Sequence, residues 1–328
     1  MSTLLIITII LAAVFDFLNG IHDSSNVVAT MISSRAFSPQ VALGVTAIAE
    51  FVGPFIFGVA VANTVGNGIV SSSSIDIRII LAALVSAILW DLLTWFLGFP
   101  SSSSHALIGG IIGSVTIAGG WKVIQLPGLE KVLITLFTSP LIGFVAGFLL
   151  LRLILLLSWK ATPRINGFFK RSQILTGITL ALSHGANDAQ KTMGVITLAL
   201  VTTHYLDSFK VPLWVIFLCA SMIALGTAVG GWRLIRTLGG RIYKIKPVDG
   251  FASQLTSALV ILGSSLLGGP VSTTQVVSSA ILGVGAGERA NKVRWGVAQE
   301  IAMAWLLTIP ATALVAAGLF WVINHFIP

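Results

Sequence analysis

Gly185-Ala186-Asn187-Asp188-Ala189-Gln190-Lys191 and Gly20-Ile21-His22-Asp23-Ser24-Ser25-Asn26 are two versions of one polar motif, each set inside a long apolar run. A second pair repeats the pattern. Gly98-Phe99-Pro100-Ser101-Ser102-Ser103-Ser104-His105 is matched by Gly268-Gly269-Pro270-Val271-Ser272-Thr273-Thr274-Gln275. Hydrocarbon penalises polar groups that have no partner or task, so a duplicated polar cluster at membrane depth marks a binding site. Duplicated, discontinuous helices around such a site are the usual build of secondary transporters. The pattern implies a carrier for a small charged solute.

The composition supports that reading. Of 328 residues, 55% are hydrophobic and only 9% charged, with a mean hydropathy of +0.98. Soluble domains carry about 25% charged residues, so a wetted globular surface is excluded. Repeated apolar runs of bilayer-crossing length make this an all-α polytopic membrane protein, because isolated strands cannot span lipid. The first run, 4–14, has no basic stretch before it and no small-residue cleavage site after it. A retained first helix is therefore expected, not a signal peptide. Cys219 is the only cysteine, which rules out an intrachain disulfide and argues against a Cys-ligated metal site.

The formal charge of +8 is concentrated in loops. Lys160, Arg164, Lys170 and Arg171 form one group. Arg233, Arg236, Arg241, Lys244 and Lys246 form a second, and Arg289, Lys292 and Arg294 a third. This is the positive-inside signature and places the three loops in the cytoplasm. Aromatic-interleaved basic patches are absent, so nucleic acid is not an expected partner.

About ten apolar segments are expected, near 3–33, 41–62, 77–98, 102–119, 132–157, 172–202, 212–231, 250–268, 271–287 and 295–323. The segments 3–33 and 172–202 exceed one straight span, and a break is expected in each after Gly20 or Gly185. The halves match at a nearly constant offset. Pro100 and Pro270, Gly113 and Gly283, Lys122 and Lys292, Glu130 and Glu300, and Pro140 and Pro310 are each 170 residues apart. Asp23 and Asp188 are 165 apart, and Thr64 and Thr237 are 173 apart. Two repeats follow, 1–158 and 172–328, joined by a short basic linker at 159–171. With five spans each, the second repeat enters the membrane upside down. The basic loops and Arg35 then share one side, with both termini opposite. If Pro100 and Pro270 are tips of re-entrant hairpins, the crossing count changes.

The motifs carry chemistry suited to an anion and a cation. Pro followed by Ser/Thr and then an apolar run is a helix-start signal. A helix N-terminus aims free N–H groups and partial positive charge at an anion. Ser102, Ser103 and Ser104, with Ser272, Thr273 and Thr274, are the candidate anion ligands, although such residues also cap and pack membrane helices. Asp23 and Asp188 are intramembrane carboxylates, the usual mark of an ion or proton pathway, and Asn26 and Asn187 add neutral oxygens suited to a hard monovalent cation. N-capping is compatible with that role. Glu50 is a further coupling candidate. Lys191 is expected to pair with Asp188 or Glu50 or to attract the anion. Asp16 and Asp91 lack repeat partners and read as structural. His22, His105 and His184 flank the motifs as packing residues or a proton relay.

These motifs resemble the inorganic phosphate transporter (PiT) family. The resemblance rests on Gly185-Ala186-Asn187-Asp188, its partner Gly20 to Asn26, the paired Pro-Ser/Thr stretches and Ala304-Trp305-Leu306-Leu307-Thr308-Ile309-Pro310. It implies a secondary symporter of inorganic phosphate in the cell membrane, driven by Na⁺ or H⁺, without another cofactor, and often dimeric. The phosphate role would fall on Ser102 to Ser104 and Ser272 to Thr274. The cation role would fall on Asp23, Asn26, Asn187 and Asp188, with Asp23 and Asp188 holding Na⁺ if sodium drives transport. His22 and Lys191 depart from the family pattern, which has Asn at both positions, and leave proton coupling open. Sulfate transport by the same fold is the nearest rival. An intramembrane hydrolase using Ser, His and Asp is a third reading, without a Gly-x-Ser-x-Gly elbow to support it. A passive channel is a fourth, against which two broken-helix repeats favour alternating access.

Overall fold

The structure, a computed structural model, describes residues 2–70, 75–99, 101–231 and 243–326. Pro100, Arg233, Arg236, Thr237 and Arg241 lie outside the described residues. Among those described, eleven α-helices carry the fold. They are α1 (Thr3–Ser33), α2 (Pro39–Phe57), α3 (Ala60–Asn63), α4 (Ile77–Leu97), α5 (Ser103–Gly119), α6 (Leu126–Leu157), α7 (Ile165–Thr202), α8 (Leu213–Val229), α9 (Pro247–Leu266), α10 (Thr273–Arg289) and α11 (Trp295–Phe326). Five of them, α1, α2, α4, α6 and α11, are long and apolar enough to cross a membrane. Many large hydrophobic side chains on these helices point outward, as lipid-facing surfaces require.

The expected breaks in the first and sixth segments do not occur. α1 runs unbroken for 31 residues and α7 for 38, with Gly20 and Gly185 in mid-helix. Both glycines serve close packing instead. A Cβ on Gly20 would collide with the carbonyl of Ile223 on α8, and one on Gly185 with the carbonyl of Glu50 on α2. From the other side, Gly226 meets Phe17 and Gly53 meets Leu182 in the same way. α7 begins at Ile165, so part of the expected 159–171 linker is helix.

The chain is interrupted between α4 and α5 and between α9 and α10. Gly98 and Gly268, with φ of 75° and 71°, take the left-handed conformation that ends each preceding helix. Ser102 and Ser272 then cap the next helix, accepting from the N–H of His105 at 3.1 Å and of Gln275 at 3.3 Å. α5 and α10, at 17 residues each, are about 25 Å long, shorter than a bilayer core of about 30 Å.

Each pair is a hairpin that returns to the end it came from. Asp76 and Arg78 at the start of α4 line one cavity with Gly119 at the end of α5 and Asn324 of α11. Lys246, capping α9, pairs with Glu288 near the end of α10 at 2.6 Å. These mouths lie at opposite ends of α1. Leu5 shares a buried cluster with Ile79, Val115 and Phe320. At the far end, Ser34 donates to Gln173 at 2.9 Å, and Gln173 donates to the carbonyl of Pro247 at 3.1 Å. Arg35, the start of α7, Lys246 and the 288–292 turn therefore share one end, as the charge pattern predicts.

Candidate functional site

The two hairpin tips meet in the interior. Ser104 donates to the carbonyl of Val271 at 3.0 Å, and His105 Nε2 lies 3.3 Å from Gln275 Nε2. The N-termini of α5 and α10 thus face each other, and α1 and α7 run alongside with their polar motifs turned inward. Ser102 to Ser104, Ser272 to Thr274, Asp23, Asn26, Asn187, Asp188, Glu50 and Lys191 are all buried.

The carboxylates of the two halves share one hydroxyl. Thr273 Oγ1 lies 3.2 Å from Asp23 Oδ2 and 2.9 Å from Asp188 Oδ2. Thr274 donates to Asp23 Oδ1 at 2.6 Å, and Asn26 donates to the same oxygen at 2.7 Å. On the opposite tip, Ser103 donates to Asn19 Oδ1 at 2.6 Å, and Asn19 Nδ2 lies 3.5 Å from Asp188 Oδ2. The structure therefore brings the two Ser/Thr stretches and both aspartates to one place.

His184 sits among the acids. Its Nδ1 lies 2.8 Å from Glu50 Oε1, while Nε2 lies 3.3 Å from Asp188 Oδ2 and 3.6 Å from Asp23 Oδ2. One ligand atom from each of Asp23, His184 and Asp188 falls within 4.8 Å of the others, a grouping able to hold a metal ion. Thr227 of α8 donates to Glu50 Oε2 at 2.5 Å. Lys191 pairs with Asp188 at 2.5 Å, the first of the partners expected for it.

Asn187 is used differently from the aspartates. Its Nδ2 donates to Ser265 at 2.7 Å and to the carbonyl of Gly269 at 3.3 Å, and its Oδ1 accepts from the N–H of Val271 at 3.3 Å. It holds the second tip in place from behind. Asp16 accepts from Thr192, a contact between α1 and α7. His22 and Asp91 line a cavity of about 80 Å³ between α1 and α4, and His22 Nδ1 reaches the edge of the cluster, 3.7 Å from Asp23 Oδ1.

Sequence reasoning passed over Asn19 and left His184 as a flanking residue. Asn19 is one helical turn before Asp23, and His184 one turn before Asp188, so each shares the face of its aspartate. Polarity at that spacing in an apolar run was the available signal.

A model of the phosphate transporter family matches residues 19–316. A relative from Bacillus subtilis is 42% identical over 331 aligned residues, covering 99% of each chain. Another, from Rhizobium meliloti, is 44% identical over 96% of this chain and 95% of its own. Both carry the description "probable low-affinity inorganic phosphate transporter". A solved structure titled "The sodium-dependent phosphate transporter" superposes with a TM-score of 0.91 at 25% identity, covering 99% of this chain and 100% of that one. The sulfate reading draws no support from these relatives, and a hydrolase is excluded because they are transporters. The chain belongs to the phosphate transporter family.

Proposed function

We propose that this protein is a secondary symporter that carries inorganic phosphate across the cell membrane, driven by a Na⁺ or H⁺ gradient. The observation that carries the reading is the meeting of the α5 and α10 N-termini beside Asp23 and Asp188. Two helix N-termini supply N–H groups and partial positive charge to an oxyanion, and Ser103 and Thr273 supply hydroxyl donors. The carboxylates suit a coupling cation, which in turn screens them from the anion. Phosphate can also donate a hydrogen bond to a carboxylate at neutral pH, whereas sulfate cannot.

Burial of the whole cluster supports a closed state, and hairpins reaching it from opposite ends support alternating access between inverted repeats. In this reading the tips part on one side or the other to admit phosphate. Positive-inside orientation puts the Arg35, Lys246 and Lys292 end in the cytoplasm and both termini outside. The test is uptake of labelled phosphate into proteoliposomes under separately imposed Na⁺ and H⁺ gradients, with sulfate as competitor. Accumulation under one gradient, unaffected by excess sulfate, is expected. Equilibration with no response to either gradient would mean a passive channel.

A further inference from the structure

We infer that Lys191 is a tethered cation, its ammonium permanently filling in the second half the position left in the first half to a mobile monovalent cation. The inference rests on the cation-coupled reading above.

The 165-residue offset that pairs Asp23 with Asp188 also pairs Asn26 with Lys191, and the 170-residue offset pairs Ser104 with Thr274. The contacts obey the same pairing. Asn26 Nδ2 donates to Asp23 Oδ1 at 2.7 Å and to Thr274 Oγ1 at 3.0 Å. Lys191 Nζ donates to Asp188 Oδ1 at 2.5 Å and to Ser104 Oγ at 2.5 Å. Lys191 makes a third bond, to the carbonyl of Val271 at 2.7 Å. All three ammonium hydrogens are thereby used.

Carboxylate, hydroxyl and carbonyl oxygens around one positive centre are the donor set a hard cation takes. In the second half that centre is covalently attached. In the first half the equivalent residue is a neutral amide, whose Oδ1 is buried without a hydrogen-bond partner. Here the Asn26 Nδ2 occupies the place of the ammonium, but turning the amide over exchanges that donor for the unpaired Oδ1 and completes, with Asp23 Oδ1 and Thr274 Oγ1, an oxygen set for a cation that Lys191 excludes from the second half. A tethered charge cannot be released on the far side of the membrane. It balances Asp188 in every state and adds nothing to the coupling stoichiometry, so each transported phosphate takes one mobile cation fewer than two open positions would require.

The test replaces Lys191 with the residue of the first half. Phosphate uptake by full-length wild type and Lys191→Asn in proteoliposomes is measured against Na⁺ concentration at fixed pH and membrane potential. The variant is expected to show a Na⁺ dependence one power steeper. Below saturation, a tenfold rise in Na⁺ then raises its uptake about tenfold more than that of the wild type. Lys191→Met, which fills the space without charge, should stay inactive at any Na⁺ concentration. A residue that merely latched the two tips together would lose activity in both variants without any new Na⁺ response.

Thermal stability in detergent without phosphate gives a second readout, and Lys191→Ala a second variant in case Lys191→Asn folds poorly. Added Na⁺ should raise the Tm of the folded variants more than that of the wild type. An unchanged Na⁺ order together with an unchanged Tm response overturns the tethered-cation assignment. Absence of phosphate uptake by the wild type would instead overturn the symporter reading, while the Tm response would still report on Lys191.

Discussion

His184 Nδ1 lies 2.8 Å from Glu50 Oε1, a contact that ties the polar motif of one half to the second helix of the other. It fixes the imidazole so that Nε2 points at Asp188 and Asp23. Thr227 holds the second oxygen of Glu50, so the whole array is anchored on α2 and α8. Glu50→Gln should therefore keep the fold and lose coupling. Gradient-driven accumulation is expected to collapse while exchange of internal for external phosphate persists. Normal accumulation by this variant would reduce Glu50 to a packing contact.

Asp188→Asn should abolish gradient-driven uptake and also cost stability. It strands the Lys191 ammonium, and breaking one side of a buried pair costs about 3–5 kcal/mol. Combining it with Lys191→Asn should recover most of that loss in a denaturation assay without restoring wild-type coupling. Additive destabilisation in the double variant would show that the pair does not act as a unit.

Ser103→Ala and Thr273→Ala should each weaken phosphate affinity about tenfold or more, since a hydrogen bond to a charged group contributes about 1.5–3 kcal/mol. The two losses should be similar because the tips are proposed to face one shared anion. If only one hydroxyl matters, the shared site fails although the transport assignment stands. Ser102→Ala and Ser272→Ala should act on stability instead, by about 1 kcal/mol each, because these side chains cap their helices.

A cysteine at Asn166, on the exposed first turn of α7, should react with an impermeant thiol reagent only after cells are permeabilised. The native Cys219 is buried and gives little background. Labelling in intact cells would reverse the proposed orientation.

Gly185→Ala should destabilise by about 1–3 kcal/mol, the usual range for overpacking, because its Cβ would strike the backbone of Glu50. Gly167→Ala, with nothing near its Cβ, is the control. Equal Tm values for the two would mean that α2 and α7 can move apart freely.

The fold class and most of the cluster were legible because hydrocarbon makes polarity conspicuous. Asp23, Asp188 and the two Ser/Thr stretches stand out against apolar surroundings, and their repetition reveals the pairing. The state of the helix backbone was not legible. Gly20 and Gly185 look like breaks in sequence, but a glycine in mid-helix and one at a break are written the same way. Only the partner helix shows which is present. The different use of Asn187 was hidden for a related reason: its amide is occupied by Ser265, Gly269 and Val271, all about 80 residues away. Lys191 could be assigned a charged partner from its spacing, but not the hydroxyl and carbonyl oxygens that complete its surroundings.

The glycine contacts carry a consequence for biogenesis. Gly20 of α1 seats on α8 and Gly185 of α7 seats on α2, while Gly113 of α5 meets Ala313 of α11 and Gly283 of α10 meets Phe144 of α6. In each case a helix finds its seat on a helix from the other half of the chain. The first half leaves the ribosome with these four seats empty and its buried acids unmatched, and it stays that way until the remainder has been inserted. Neither half should therefore mature alone. A chain cut in the short connection before Ile165 would yield two fragments that acquire protease resistance only when made together in the same membrane.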